Sequence, residues 1–341
     1  MCILDVKFSQ DRSAIICGTE KGILIYLLKP ELKKVLTYKF EKGIGKVSCY
    51  GKTNVIGIVG GGEEPYKSKN ILTLWDIHNK KSNVTLGVEK EIRNMELIKQ
   101  EEKEGRIIYV TEEEINIMST SKIEICDTRT TYPNKKGIFT ARMINIANTE
   151  TKKLRIGTLG VKKGDIVIWE PETNILNSIE ITAHAGEITN IKLSPKGTLV
   201  ATTSENGTNI HVYESITGKQ ICKLRRGTNI IKETKIYDIC ISEDDKYLAC
   251  CSTNGTIHIF DLEKNNEKNV NKKSLLSGLG GYFDSSWSFM QHNLGTQSKM
   301  ICEFGKEDNT LHIITYEGDY YKVFGEKYEI LIGKKMCVND F

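Results

Sequence analysis

One strand type recurs along this chain at a nearly constant interval, and that recurrence constrains the fold more than any other feature. Each copy starts at a turn glycine or asparagine, alternates aliphatic residues, and closes on an aromatic ring. The clear copies are Gly22-ILIY, Asn70-ILTLW, Gly164-DIVIW, Gly207-TNIHVY and Gly255-TIHIF. The closing rings, Tyr26, Trp75, Trp169, Tyr213 and Phe260, stand 49, 94, 44 and 47 residues apart. The 94-residue gap is twice 47, and a weaker strand near Met118 fills its middle. A seventh copy, Gly318-DYYKVF, ends at Phe324. Alternation with period two is the mark of a half-buried strand, and the β-branched and aromatic content agrees. A period in the forties is that of a four-stranded propeller blade. Each blade buries its faces against its neighbours, so the ring leaves few open edges. The expectation is an all-β, seven-bladed β-propeller of degenerate WD repeats, forming a single domain over residues 1–341. Only Trp75-Asp76 keeps the WD dipeptide.

Composition narrows the class. With 39% hydrophobic residues the chain can bury a sizeable core, and a net charge of +4 is too small for a general nucleic-acid binder. Ten cysteines are scattered without a CxxC pair, which fits small buried thiols in a reduced cytosolic protein. The N-terminal MCILDVKFSQ lacks the pattern of a signal peptide. No apolar run of about 18 residues is present, so membrane contact is expected to be peripheral. No P-loop, nucleophile elbow, Rossmann glycine pattern or metal-ligand spacing appears. The expectation is a protein that is not an enzyme and needs no cofactor.

The last interval, from Phe260 to Phe324, is 64 residues, 17 longer than the one before it. The extra length lies between Leu262 and Trp287, in LEKNNEKNVNKKSLLSGLGGYFDSSW, which holds an insert over 263–286 in the sixth repeat. Its first half is polar and charged; its second half carries Leu275, Leu276, Leu279, Tyr282, Phe283 and Trp287. Long inserts in compact repeats are more often functional or disordered than structural. Phe283 and Trp287 could instead belong to the core of the last blade. The acidic runs Glu101–Glu104 and Glu112–Glu114 read as solvated blade edges.

Between the fifth and sixth repeats stands Lys223-Leu224-Arg225-Arg226-Gly227-Thr228. Successive side chains of an extended strand point to opposite sides, so Arg225 and Arg226 are placed to serve two pockets. Arginine offers a fixed fork of donors suited to phosphate. Gly227 allows a sharp turn or a close approach by a ligand.

These residues, taken with four other segments, resemble the PROPPINs, β-propellers that bind polyphosphoinositides. Leu224–Gly227 is similar to that family's [F/L]RRG motif, in the leucine form of one branch. Val59-Gly60-Gly61-Gly62, followed by Pro65, Asn70 and Leu74-Trp75-Asp76, resembles its second blade. So do Ala201–His211, Tyr282–Gln291, and Ile301–Tyr321 with CEFG and EGDYYK, each in its expected order.

The resemblance implies two headgroup sites on the rim of blades five and six. Carried over position by position, the first uses His184, Thr202, Ser204, Gly207, Thr208 and Arg225. His211 joins it where the family usually has an arginine, which weakens that site or makes it pH-sensitive. The second uses Arg226, Gly227, Thr228, Ser252, Thr256 and His258. Both arginines are expected to be rim-exposed, and histidine protonation to tighten binding as pH falls from about 7.5 to 6.

The insert is expected to touch the bilayer through Lys272, Lys273, Leu275, Leu276 and Leu279. The implied ligands are phosphatidylinositol 3-phosphate and the 3,5-bisphosphate. The implied protein partner is an autophagy lipid-transfer protein, with Asp11 in the first loop as a candidate contact. The expected protein is a cytoplasmic monomer recruited to autophagosomal, endosomal or vacuolar membranes. The rival reading is a plain protein-interaction propeller without lipid activity.

Overall fold

A computed structural model of the chain describes residues 2–100, 104–145, 152–171, 178–227, 234–263, 286–306 and 309–336. Among the described residues seven sheets follow one another, six of four strands and one of five, and in each the strands lie in chain order. Sheet one covers 3–39, sheet two 44–87, sheet three 94–130, sheet four 139–182, sheet five 188–225, sheet six 236–293 and sheet seven 300–335. These are the blades of a seven-bladed β-propeller. The repeated sequence strand is the third strand of its sheet in all seven cases.

The closing residue has a local reason. In sheets one, two, three and five the register between third and fourth strands shifts immediately before Tyr26, Trp75, Met118 and Tyr213. A bulge of this kind re-aims the next side chain. It is shared by the weak copy at Met118, which is buried like the aromatics. A second shift recurs between first and second strands, at Ile3/Asp5, Ile44/Lys46, Ile188/Asn190 and Ile236/Asp238.

Two compact units divide the chain: Met1–Ile138 with Ile314–Tyr321 and Gly333–Phe341, and Phe139–Ile313 with Lys322–Ile332. The first contains sheets one to three. Its first strands are tied by side chain to backbone: Asp5 Oδ2 accepts the Val47 N–H at 3.0 Å, and Ser48 Oγ accepts that of Leu97 at 2.9 Å. Its glycine run is steric. A Cβ on Gly60 would lie 1.8 Å from the Lys67 carbonyl oxygen, and one on Gly61 2.4 Å from Gly45 Cα. Trp75 packs with Tyr38, Phe40 and Tyr66, while Asp76 caps its own turn by accepting from the Asn79 backbone and side chain.

The second unit contains sheets four to six. The same device recurs there: Thr140 Oγ1 accepts the Leu193 N–H at 3.1 Å, and Asp238 Oδ2 that of Cys302 at 3.0 Å. Beside it lies a charge cluster around the buried Glu303. Lys192 Nζ is 2.8 Å and Arg142 Nη2 3.6 Å from Glu303 Oε2. Burial alone would discharge Lys192, but Glu303 and Asp238 hold its pKa above the ordinary value. Cys222, Cys240, Cys250, Cys251 and Cys302 are buried as free thiols in this unit, and burial raises the pKa of each.

Sheet five gains a fifth strand. Ser286–Trp287 pairs with its outer edge in parallel, Leu224 opposite Ser286 and Arg225 opposite Trp287. The chain then supplies the fourth strand of sheet six, Met290–Asn293, antiparallel to Thr256–Asp261.

Candidate anion sites on sheets five and six

The strand Leu199–Ser204 carries Thr202 and Ser204, two apart and therefore on one face. Thr202 is directly opposite His211, which is opposite Lys223; Asn209 is opposite Arg225. Register alone thus collects hydroxyl, imidazole, ammonium and guanidinium groups on one face. His184 joins from the connection after sheet four. Its N–H and that of Ala183 donate to the Gly164 carbonyl, at 3.1 and 2.9 Å. The His184 and His211 rings stack, centroids 4.1 Å apart and planes 14° from parallel. His184 Nε2 lies 3.1 Å from Thr202 Oγ1, and His211 Nδ1 donates to the Ala183 carbonyl at 2.7 Å.

Burial, reinforced by His211, holds the His184 pKa down at about 3. Burial also lowers that of His211. Gly207 sits at φ +60°, and a Cβ there would lie 1.6 Å from the Thr234 carbonyl oxygen. Its place in the motif therefore has a steric origin. Thr208 fixes the next residue pair, its carbonyl accepting the Arg226 N–H at 3.0 Å.

Arg226 turns to sheet six. Its Nη2 donates to Thr256 Oγ1 at 2.8 Å, and that hydroxyl is 2.7 Å from Ser252 Oγ. Ser252 and Thr256 are paired across their strands. Arg226 Nε is buried without an acceptor among the described residues. His258 Nδ1 is 3.0 Å from Ser288 Oγ. Burial first, and the Arg226 charge second, hold the His258 pKa down at about 4. A Cβ on Gly227 would meet nothing within 4 Å among the described residues. Thr228 lies outside the described residues.

The two arginines therefore divide between neighbouring sheets, as their alternation requires. Their expected exposure is corrected. Arg225 is only 7% exposed, because the chain after the insert lies along it and the Trp287 ring faces its guanidinium, 5.8 Å from centroid to Cζ. Trp287 in turn is no core residue: it is 45% exposed. The expected histidine titration near neutrality is also corrected, since burial drives all three pKa values down.

Lys223, Trp287 and Ser288 are site neighbours that the reading of motifs missed. Lys223 was legible from its i, i+2 relation to Arg225. The other two depend on contacts distant in sequence, Trp287 with Arg225 and Ser288 with His258, which no local pattern carries.

Of the remaining expected positions, Lys272, Lys273, Leu275, Leu276 and Leu279 lie outside the described residues. Asp11 organises its own loop. Its carboxylate accepts from Ser9 Oγ at 2.7 Å and Ser13 Oγ at 2.8 Å, and pairs with Lys52 at 3.2 Å. Burial would raise its pKa, but these bonds outweigh it and hold it at about 2. Glu112 pairs with Arg93, and Glu113 with Lys90, at the edge of sheet three. Among the described residues no group of three or more His, Cys, Asp or Glu side chains could hold a metal ion. No described helix is long and apolar enough to cross a membrane.

The family model described as PROPPIN matches residues 80–318, which include both groups of site residues. SVP1-like protein 2 of Neurospora crassa is 32% identical over 263 residues, covering 77% of this chain and 56% of that protein. Autophagy-related protein 18 of Debaryomyces hansenii is 28% identical over 309 residues, covering 79% of this chain and 53% of its own length. The chain thus spans about half the length of these curated relatives. The solved structure of Kluyveromyces lactis Hsv2p superposes with a TM-score of 0.70 at 21% identity, covering 98% of this chain and 97% of that one.

Proposed function

The chain belongs to the PROPPIN family, and from that premise we propose that it is a non-enzymatic module that docks peripherally on membranes by binding phosphatidylinositol 3-phosphate and the 3,5-bisphosphate. The observation that carries this reading is the division of two adjacent arginines between two sheets. Register puts Arg225 on one face with Thr202 and His211 of sheet five, while Arg226 donates to Thr256 beside Ser252 of sheet six. A phosphate monoester presents several strong acceptors, and guanidinium, hydroxyl and imidazole N–H groups are its natural donors. The histidines act as neutral donors, so the fixed positive charge comes from Arg225, Arg226 and Lys223.

Two sites on neighbouring sheets of one chain act at a high mutual effective concentration, which adds roughly 10²–10⁴ in apparent affinity on a surface. The residues of the insert, 263–286, supply a third attachment. The rest of the propeller recruits proteins of autophagy or membrane traffic, the lipid-transfer partner being held near Asp11. The module acts as a monomer on autophagosomal, endosomal or vacuolar membranes.

Flotation with liposomes that differ only in their phosphoinositide tests the reading. Binding is expected with the 3-phosphate and the 3,5-bisphosphate, and not with phosphatidylinositol itself. Flotation that ignores the headgroup, or none at all, returns the chain to the class of protein-interaction propellers.

A further inference from the structure

Four consecutive residues, 286–289, lie between the two candidate sites and touch a group in each. Ser286 and Trp287 pair in parallel with Leu224 and Arg225 at the outer edge of sheet five. The indole of Trp287 faces the Arg225 guanidinium at 5.8 Å. The next residue, Ser288, places its hydroxyl 3.0 Å from His258 Nδ1 on sheet six. Phe289 then joins sheet six through its N–H, which donates to the Ile259 carbonyl at 3.0 Å.

This segment is not there to fill a core: Trp287 and Phe289 are 45% and 42% exposed. A ring face against a guanidinium leaves the N–H groups directed along the guanidinium plane, the geometry that meets phosphate oxygens. The Arg225 Nε–H bond to the Gly227 carbonyl, 3.3 Å, holds the same plane from a second direction. On sheet six the Ser288 hydroxyl fixes the His258 ring through one nitrogen, and so sets where the other points.

Building on the headgroup reading above, we propose that Trp287 and Ser288 are positioning residues, Trp287 orienting Arg225 in the first headgroup site and Ser288 orienting His258 in the second. The strand that ends the insert thereby becomes part of both sites. A guanidinium already held over a ring and bonded to the backbone loses less freedom when it binds an anion, so the effect falls on affinity.

The test uses the full chain and soluble inositol 1,3-bisphosphate, with binding followed by calorimetry and by tryptophan emission. Only three tryptophans are present, and Trp75 and Trp169 are 9% and 3% exposed, so a change on titration reports on Trp287. Trp287→Ala is expected to weaken one of the two sites roughly threefold to tenfold, and Trp287→Phe to restore most of that loss. In Trp287→Phe the emission change seen in the parent should vanish. Ser288→Ala is expected to weaken the other site several-fold, and thermal melts verify that each variant is folded. Parent affinity in either alanine variant overturns the proposal, as does a parent that binds with no change in emission. A parent that gives no heat of binding at all removes the headgroup reading itself, an outcome distinct from either.

Discussion

His184 and His211 stack face to face, 4.1 Å between ring centroids. Two imidazolium ions at that separation repel, and burial already disfavours charge on each. His184 is held at about 3 and His258 at about 4, against an ordinary 6.5, and His211 is lowered as well. The unfolded chain therefore takes up these protons first. The stability they contribute is complete above about pH 6.5 and is lost as pH falls toward the folded values. Each of His184 and His258 is expected to cost about 1–2 kcal/mol between pH 7 and pH 5. Urea melts across that range would register the loss, and replacing His184 and His258 with Gln should flatten it.

The same shifts set the pH dependence of binding. Between about pH 7.5 and 6 His184 and His258 stay neutral and add no charge to the sites, and burial disfavours charge on His211 as well. The phosphate gains a proton near pH ~6 and becomes a weaker ligand. Headgroup affinity is thus expected to be flat or to fall as the solution is acidified. Calorimetry at several pH values, corrected for buffer ionisation, checks this; tightening toward pH 6 would mean that a histidine takes up a proton on binding.

Arg225→Thr with Arg226→Thr is expected to abolish flotation with phosphatidylinositol 3-phosphate. Because Arg225 is buried against Trp287 and Arg226 is bonded to Thr256, the double variant should also lose about 1–2 kcal/mol of stability. A small drop in melting temperature accompanied by complete loss of binding is the expected pair of results. Parent-like flotation would exclude both arginines from membrane binding.

The fold was legible because its repeat is local. Each third strand carries a turn residue, an aliphatic alternation and a closing ring within about ten residues, and even Met118 kept its place by spacing. The site was legible to the extent that register is local: Thr202, His211 and Lys223 face one another across hairpins. What escaped was set by contacts distant in sequence. The burial of Arg225 and the roles of Trp287 and Ser288 come from residues 286–289 returning to sheets five and six. The shared carboxylate of Glu303 joins Lys192 and Arg142 from a strand more than 100 residues away. Gly207 reads as a ligand glycine in the motif, yet the Thr234 carbonyl gives it a steric reason that only the fold reveals.

Glu303 offers a test of the second unit's interior. Removing its charge by Glu303→Gln leaves the part-buried Lys192 and Arg142 beside a neutral amide, a loss of up to about 3–5 kcal/mol. Chemical denaturation should show that loss. Replacing Glu303 and Lys192 together by Gln and Met should recover part of it, because one part-buried cation is removed with the anion. No recovery in the double variant would mean that Arg142, not Lys192, is the ion that Glu303 chiefly serves.

The division of Arg225 and Arg226 makes a quantitative demand on binding. If each arginine serves its own sheet, a soluble inositol 1,3-bisphosphate should bind with a stoichiometry of two per chain. Ser204 and Thr208 belong to the first group and Ser252 and His258 to the second. Ser204→Ala with Thr208→Ala should leave one molecule bound, and so should Ser252→Ala with His258→Ala. Each pair trades hydroxyl or imidazole donors for methyl groups while sparing both arginines, so the surviving site keeps its charge. Ser252 is fully buried and bonded to Thr256, so the second pair will also lower stability by about 1–2 kcal/mol, and titrations belong well below its melting range. A stoichiometry of one in the parent would mean that the stacked pair His184–His211 fills the space a first headgroup needs. In that case the first pair of substitutions should change nothing, and the second should abolish binding altogether.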